Sequence, residues 1–389
     1  MSRVAGFTST GSKRPEALFG SADPALRMTR SLGCRVWDAD GREYLDFIMA
    51  LGAVGLGYGH PGVSRAAVAA IEAGGVGPLA PVAEEELAAE LCRRMPWVEA
   101  IRFLKTGAEA VSAAVRLARA ATGRDHVLGC GYHGWHDWCQ TGEAAGVPGS
   151  TQALYGEVPF NDAERTRLLI RAAGDGLAAV VFEPVILAPP DPEWLTMLRQ
   201  ETERAGALLV VDEIKTVCRL AVGGGCERYG IRPDLVVMGK AMANGYPLAA
   251  VGGRAQVMEL VRRTWISSTL ATEWVSLAAA QETLRVMDRS RVPEHLTRVG
   301  RRLLAGLAEL AGRHDRLVAG VAGIPEMCHL VFREEPVSGA VARACAAGGL
   351  LFKRGAYNFV SLAHEEAEVD RALGMLDDAL SEVGRSIPT

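Results

Sequence analysis

The chain predicts an α/β protein: a mostly parallel sheet buried between helices, with a smaller α+β unit beside it. Short runs of near-continuous apolar character recur at 101–104, 126–130, 178–183, 208–212, 235–238 and 248–251. Stretches of helix-forming composition, with apolar residues three and four apart, lie between them at 108–121 and 192–205. Strands apolar on both sides and separated by helices belong to a sheet covered on both faces. With 389 residues, 49% of them hydrophobic, the chain has material for two well-developed cores.

Taken in order, residues 36–48, VWDADGREYLDFI, read as a hairpin outside the main sheet, because Asp40-Gly41 separates two β-prone runs. The strand at 101–104 runs through Lys105-Thr106-Gly107 into the helix at 108–121. Backbone N–H groups at such a helix start, with a glycine permitting close approach, form an anion site. Tyr132-His133-Gly134 follows the strand at 126–130 and places a planar ring at a strand end, suited to stacking. ALLVVDE at 207–213 is a buried strand ending in two carboxylates, Asp212 and Glu213. PDLVVMGKAMANGYPLAAVGGR at 233–254 holds two apolar runs around Gly239-Lys240 and a loop rich in Gly, Asn and Pro. From about 281 onward, Leu- and Ala-rich helices frame short strands at 328–332 and 350–352. The expected division is 1–49 and 282–389 for the small unit and 50–281 for the large one.

Lys240 is the residue with the most chemistry in its position. Burial disfavours a charged amine, so a lysine at a buried strand end is either deprotonated or covalently used. The chain has five lysines, at 13, 105, 215, 240 and 353, against 37 arginines, which leaves few candidates for a Schiff base. An amine and a carboxylate at neighbouring strand ends suit a pyridoxal 5'-phosphate enzyme, with Lys240 forming the Schiff base and Asp212 keeping the pyridine nitrogen protonated.

Composition narrows the setting. A net charge of −4 argues against nucleic-acid and membrane-surface partners, and no apolar run approaches the roughly 20 residues of a membrane span. The N-terminal segment lacks the apolar core of a signal peptide. Eight scattered cysteines without a CxxC fit reduced thiols, and the expected location is the cytoplasm. His133 and His136 lack an evident third ligand, so no metal is expected.

In order along the chain, KTGAEAVSAAVRLARAATGR, GYHGWHDW, VVFEPV, LLVVDEIKTVCR and PDLVVMGKAMANGYPLAAVGG resemble the class III aminotransferases of PLP fold type I, in the glutamate-1-semialdehyde aminomutase branch. The resemblance begins at RVWDADGREYLDF and LGYGHP and runs to LLFKRGAYNFVSLAHEEAEVDRAL, nearly the whole chain. It implies a large domain with a mostly parallel seven-stranded sheet flanked by helices, a small α+β domain from both chain ends, and a homodimer with active sites at the subunit interface. Residue by residue it implies Lys240 as the Schiff-base lysine and Asp212 as the partner of the ring nitrogen. It also implies phosphate contacts from Thr106, Gly107 and Ala108, a ring contact from Tyr132 beside His133, Glu183 near the cofactor's O3′ side, and Thr269 reaching the neighbouring subunit's phosphate.

Departures fall around the substrate. Lys215, Val217 and Cys218 replace the family's usual Gln or Met, Gly and Phe, and Thr272-Glu273-Trp274 stands where Gly-Asn-Pro is common. Ala17, in SKRPEALFG, stands where the aminomutase offers an arginine to the substrate carboxylate. The expected activity is therefore ping-pong transfer of an amino group from a small amino donor to an aldehyde or ketone acceptor, such as a sugar, cyclitol or other secondary-metabolite carbonyl. The alternatives are an intramolecular aminomutase and a racemase or epimerase on the same scaffold.

Overall fold

The computed structural model describes residues 3–386. They form two compact units, one from the described residues up to 60 together with those from 294 onward, and one from 61–293.

The unit made of the chain ends begins with β1 (Met28–Leu32), β2 (Arg35–Asp38) and β3 (Glu43–Asp46), an antiparallel meander. Asp40-Gly41 makes the β2–β3 turn, with the Asp38 carboxylate accepting the N–H groups of Asp40 and Arg42 at 3.0 and 2.9 Å.

The larger unit carries seven strands: β4 (Ala100–Leu104), β5 (His126–Cys130), β6 (Tyr155–Glu157), β7 (Leu177–Phe182), β8 (Leu208–Asp212), β9 (Leu235–Met238) and β10 (Ala249–Gly253). Their order is β4-β10-β9-β8-β7-β5-β6. Every pairing is parallel except those of β10. Ten residues, 239–248, join β9 to β10. That is shorter than a parallel crossover requires, so the chain doubles back. Alternate residues serve opposite faces. Val181, Val210, Val237 and Val251 pack with Val111, Val115 and Leu117 of the helix Gly107–Thr122. Val180, Phe182, Leu209 and Val211 pack with Trp194 and Leu198 of the helix Pro192–Ala205. This two-sided burial is why these strands read as unbroken apolar runs. β6, Tyr-Gly-Glu at the sheet edge, carries no such signal.

After the helix Val292–Arg313, the chain-end unit continues with β11 (Val318–Ile324), β12 (Met327–Phe332), β13 (Leu350–Leu351) and β14 (Asn358–Phe359). β13 adds to β3 in parallel, and β11-β12-β14 form a separate antiparallel sheet. Leu296, Val299, Leu303, Leu307 and Leu310 recur at helical spacing and are buried. All eight cysteines are free thiols. No helix among the described residues is long and apolar enough to cross a membrane.

Candidate active site

The carboxyl ends of three adjacent parallel strands hold three of the residues expected at the site. β7 is followed by Glu183, β8 ends in Asp212, and β9 is followed by Gly239 and Lys240. Neighbouring strands lie about 4.8 Å apart, so residues far apart in sequence become neighbours. Gly239, where the chain leaves β9, packs closely on the tip of the Ile214 side chain, 2.8 Å from where a Cβ would lie. Lys240 then takes φ 47° at the start of a short 3₁₀ turn, Lys240–Ala243.

The Lys240 amine is held down to about 8, first by burial and next by the positive charge of Lys215. Among the described residues no carboxylate pairs with it. The competing lysines of this unit are engaged: Lys105 Nζ lies 2.6 Å from Glu273 and Lys215 Nζ 2.9 Å from Glu183. Lys240 thus combines a strand-end position with a readily deprotonated amine.

Asp212 is buried, and each oxygen accepts a hydrogen bond: Oδ2 is 2.9 Å from His133 Nδ1, and Oδ1 takes the Ile214 N–H at 3.1 Å. His133 is also buried, and its Nε2 has no hydrogen-bond partner. The pair therefore presents a fixed, negatively charged carboxylate braced from behind by an imidazole.

Thr106 caps the helix Gly107–Thr122 in a reciprocal box. Its Oγ1 accepts the Glu109 N–H at 3.3 Å while Glu109 Oε2 accepts the Thr106 N–H at 2.8 Å. Glu109 also takes the Lys105 N–H at 3.2 Å. The box leaves the N–H groups of Gly107 and Ala108, the first two helical residues, outside its own hydrogen bonds. Gly134, at φ 106°, packs so tightly on this helix start that a Cβ would sit 2.7 Å from the Ala108 Cβ. The 131–134 loop thereby brings His133 between the helix start and Asp212.

Tyr132 donates its N–H to Glu183 Oε2 at 3.0 Å, but its side chain is 73% exposed. Thr269 is exposed, in a turn before the helix Trp274–Arg289. Sequence reasoning passed over the ion pair between Lys215 and Glu183. The sequence marks only Lys215 itself, one of five lysines and two residues beyond the Asp212-Glu213 pair, and not its partner.

Pyridoxal phosphate fits these residues. An acidic partner for a ring nitrogen, an amine with lowered proton affinity for the aldehyde carbon, two backbone donors at a helix start and a buried imidazole with an orphaned nitrogen are all in one unit.

Comparison with known proteins agrees. Residues 20–380 match the model of the family "Aminotransferase class-III". Glutamate-1-semialdehyde 2,1-aminomutase of Thermomicrobium roseum is 36% identical over 393 residues, covering 92% of this chain and 91% of that protein. The FumI protein of Sphingopyxis sp. MTA144, solved in its PLP internal aldimine form, superposes with a TM-score of 0.91 at 31% identity, covering 97% of this chain and 93% of that one. An omega-transaminase from Sphaerobacter thermophilus superposes with a TM-score of 0.86 at 27% identity, covering 94% and 92%. The α/β architecture with its seven-stranded, mostly parallel sheet is accordingly that of PLP fold type I, and the chain belongs to the class III aminotransferases, enzymes that use pyridoxal phosphate.

Proposed function

We propose that this enzyme transfers an amino group by a ping-pong mechanism from an amino donor to an aldehyde or ketone acceptor in the cytoplasm. The observation that carries the reading is the Lys240 amine, lowered to about 8 and set at the strand end beside Asp212. When bound, pyridoxal phosphate supplies an electron sink for charge that develops beside the substrate nitrogen. Asp212 places its negative charge against the ring nitrogen, and His133 holds that carboxylate in orientation. Lys240 would hold the cofactor and would move a proton at the reacting carbon; an amine lowered to about 8 is suited to that task near neutral pH. Gly107 and Ala108 offer N–H groups to the phosphate, and Thr106 fixes the helix start that presents them. Glu183 would border the cofactor on its O3′ side, and the exposed Tyr132 ring would stack on it.

The working unit of the proposal is a homodimer in which Thr269 reaches the phosphate of the partner subunit. Its support is the exposure of large apolar side chains on either side of Thr269, with Trp265 89% and Leu270 55% exposed. The departures at Lys215, Val217, Cys218 and 272–274 support an acceptor other than a simple α-keto acid.

The test is borohydride reduction of the cofactor-loaded protein followed by peptide mapping. The label is expected on Lys240, and the visible cofactor band should bleach when an amine donor is added. A label on Lys105 or Lys215 overturns the assignment.

A second reading, the intramolecular aminomutase, is favoured by relatives named glutamate-1-semialdehyde 2,1-aminomutase at 34–36% identity. Glutamate 1-semialdehyde supplied alone separates the two: migration of the amine from carbon 2 to carbon 1, with no second carbonyl present, would establish the mutase.

A further inference from the structure

Beside Lys240 lies a second lysine to which the proposed mechanism gives no task. Lys215 stands three residues beyond the end of β8, between the strand end that carries Glu183 and the one that precedes Lys240. Its Nζ lies 2.9 Å from Glu183 Oε1, and the two side chains are only 13% and 6% exposed. Glu183 is in turn fixed from other sides. Its Oε2 accepts the Tyr132 N–H at 3.0 Å, and a Cβ on Gly131 would lie 2.4 Å from that same oxygen. The Glu183 main-chain N–H is bonded to the Cys130 carbonyl at 3.0 Å. A cation bound to so constrained a carboxylate has a defined place relative to the neighbouring strand ends.

Four charges act on the Lys240 amine: Lys215 and Arg219 against its protonation, Glu183 and Asp212 for it. Asp212 has its oxygens committed to His133 and to the Ile214 N–H, and Arg219 is fully buried. Lys215 exerts the largest of the four effects. A sheltered positive charge repels a second one more strongly than it would in water, because the surroundings screen it less. We propose that Lys215, seated on Glu183, is a positioning residue for Lys240: the carboxylate fixes a second ammonium beside the strand end that carries the reactive amine, and the pair holds Glu183, and through it the Tyr132 main chain, at the strand ends.

The inference rests on the reading of Lys240 as the reactive amine, and its test separates the two. In the full chain without cofactor, the pH dependence of acetic anhydride labelling at Lys240, followed by peptide mass, reports the amine directly. The wild-type midpoint is expected near 8. K215Q should raise it by about one unit, slowing labelling at neutral pH about tenfold. K215R should restore the wild-type profile, because it restores the charge. E183Q should move the midpoint the opposite way, since it removes a charge that favours protonation while leaving Lys215 in place. In the loaded protein, the pH titration of the visible cofactor band should shift with the same signs.

An unmoved Lys240 midpoint in K215Q, even with lowered thermal stability, overturns the proposal and leaves Lys215 a structural residue. Shifts of the same sign in K215Q and E183Q overturn it too. So does an unmoved midpoint with KM raised only for acidic donors, which would make Lys215 a carboxylate seat. Failure of borohydride to label Lys240 would defeat the functional reading while leaving the unloaded titration to judge this one.

Discussion

Lys240 meets two opposing demands, since a buried amine is costly when charged and useless as a nucleophile until it loses its proton. Its depressed value shows how the fold resolves them, and it has a consequence for stability. The folded protein binds this proton less tightly than the unfolded chain does, whose lysine titrates at 10.5. The destabilisation is therefore complete below about pH 8 and fades as pH rises toward 10.5. Lys240→Met, which keeps the volume and removes the titration, should stabilise the cofactor-free protein at pH 7 by on the order of 2 kcal/mol. That advantage should shrink by pH 10; urea unfolding at several pH values measures it, and a pH-independent difference would contradict the account. The same variant should lack turnover.

Asp212 bears a different load. Asp212→Asn keeps the shape of the side chain but removes the charge opposite the ring nitrogen. A fall in kcat of about 100-fold or more is expected, with the fold retained, as for loss of other electrostatic contacts made at the reacting centre. A near-normal kcat would show that another group serves the nitrogen.

At the scale of single elements, the helix Gly107–Thr122 depends on its start. Thr106→Ala removes the side-chain half of the capping box and should cost about 1 kcal/mol. Cofactor affinity should fall as well, because the same turn presents the Gly107 and Ala108 N–H groups. Gly134 is the sharper case. At φ 106° it adopts a backbone that other residues avoid, and any side chain would strike Ala108. Gly134→Ala is expected to push the 131–134 loop off the helix start and weaken cofactor binding at least about tenfold, a larger loss than its effect on the thermal midpoint without cofactor would suggest. Equilibrium titration of the visible band checks this. Equal affinity in the two proteins would mean that the loop does not set the site.

At the scale of the whole molecule, the proposed dimer links cofactor binding to assembly. A cofactor touched by both chains favours their association, so it should raise the thermal midpoint of the dimer in proportion to its binding. Thr269→Ala should reduce that gain only when cofactor is present. Sedimentation of a stable, fully active monomer would defeat the shared-site arrangement.

The sequence by itself determined the α/β class, the buried strands and the residues at their ends. A strand packed on both faces must be apolar along its whole length, and a reactive polar residue at its end then stands out: Asp212 closes LLVVD and Lys240 follows LVVM in just this way. The hairpin around Asp40-Gly41 was readable for a comparable reason, since its turn is made by local backbone preferences. The tertiary structure alone decided what those residues meet. The edge strand β6 is too short and polar to leave a pattern, and the reversal of β10 follows from the ten-residue link to β9. His133 approaches Asp212 from 79 residues away, and Lys215 approaches Glu183 from the end of the adjacent strand. Apolar periodicity records which side of an element is buried. The partner of a charged residue is set by strand order, which local sequence does not encode, and for that reason the ion pair beside Lys240 emerged only in three dimensions.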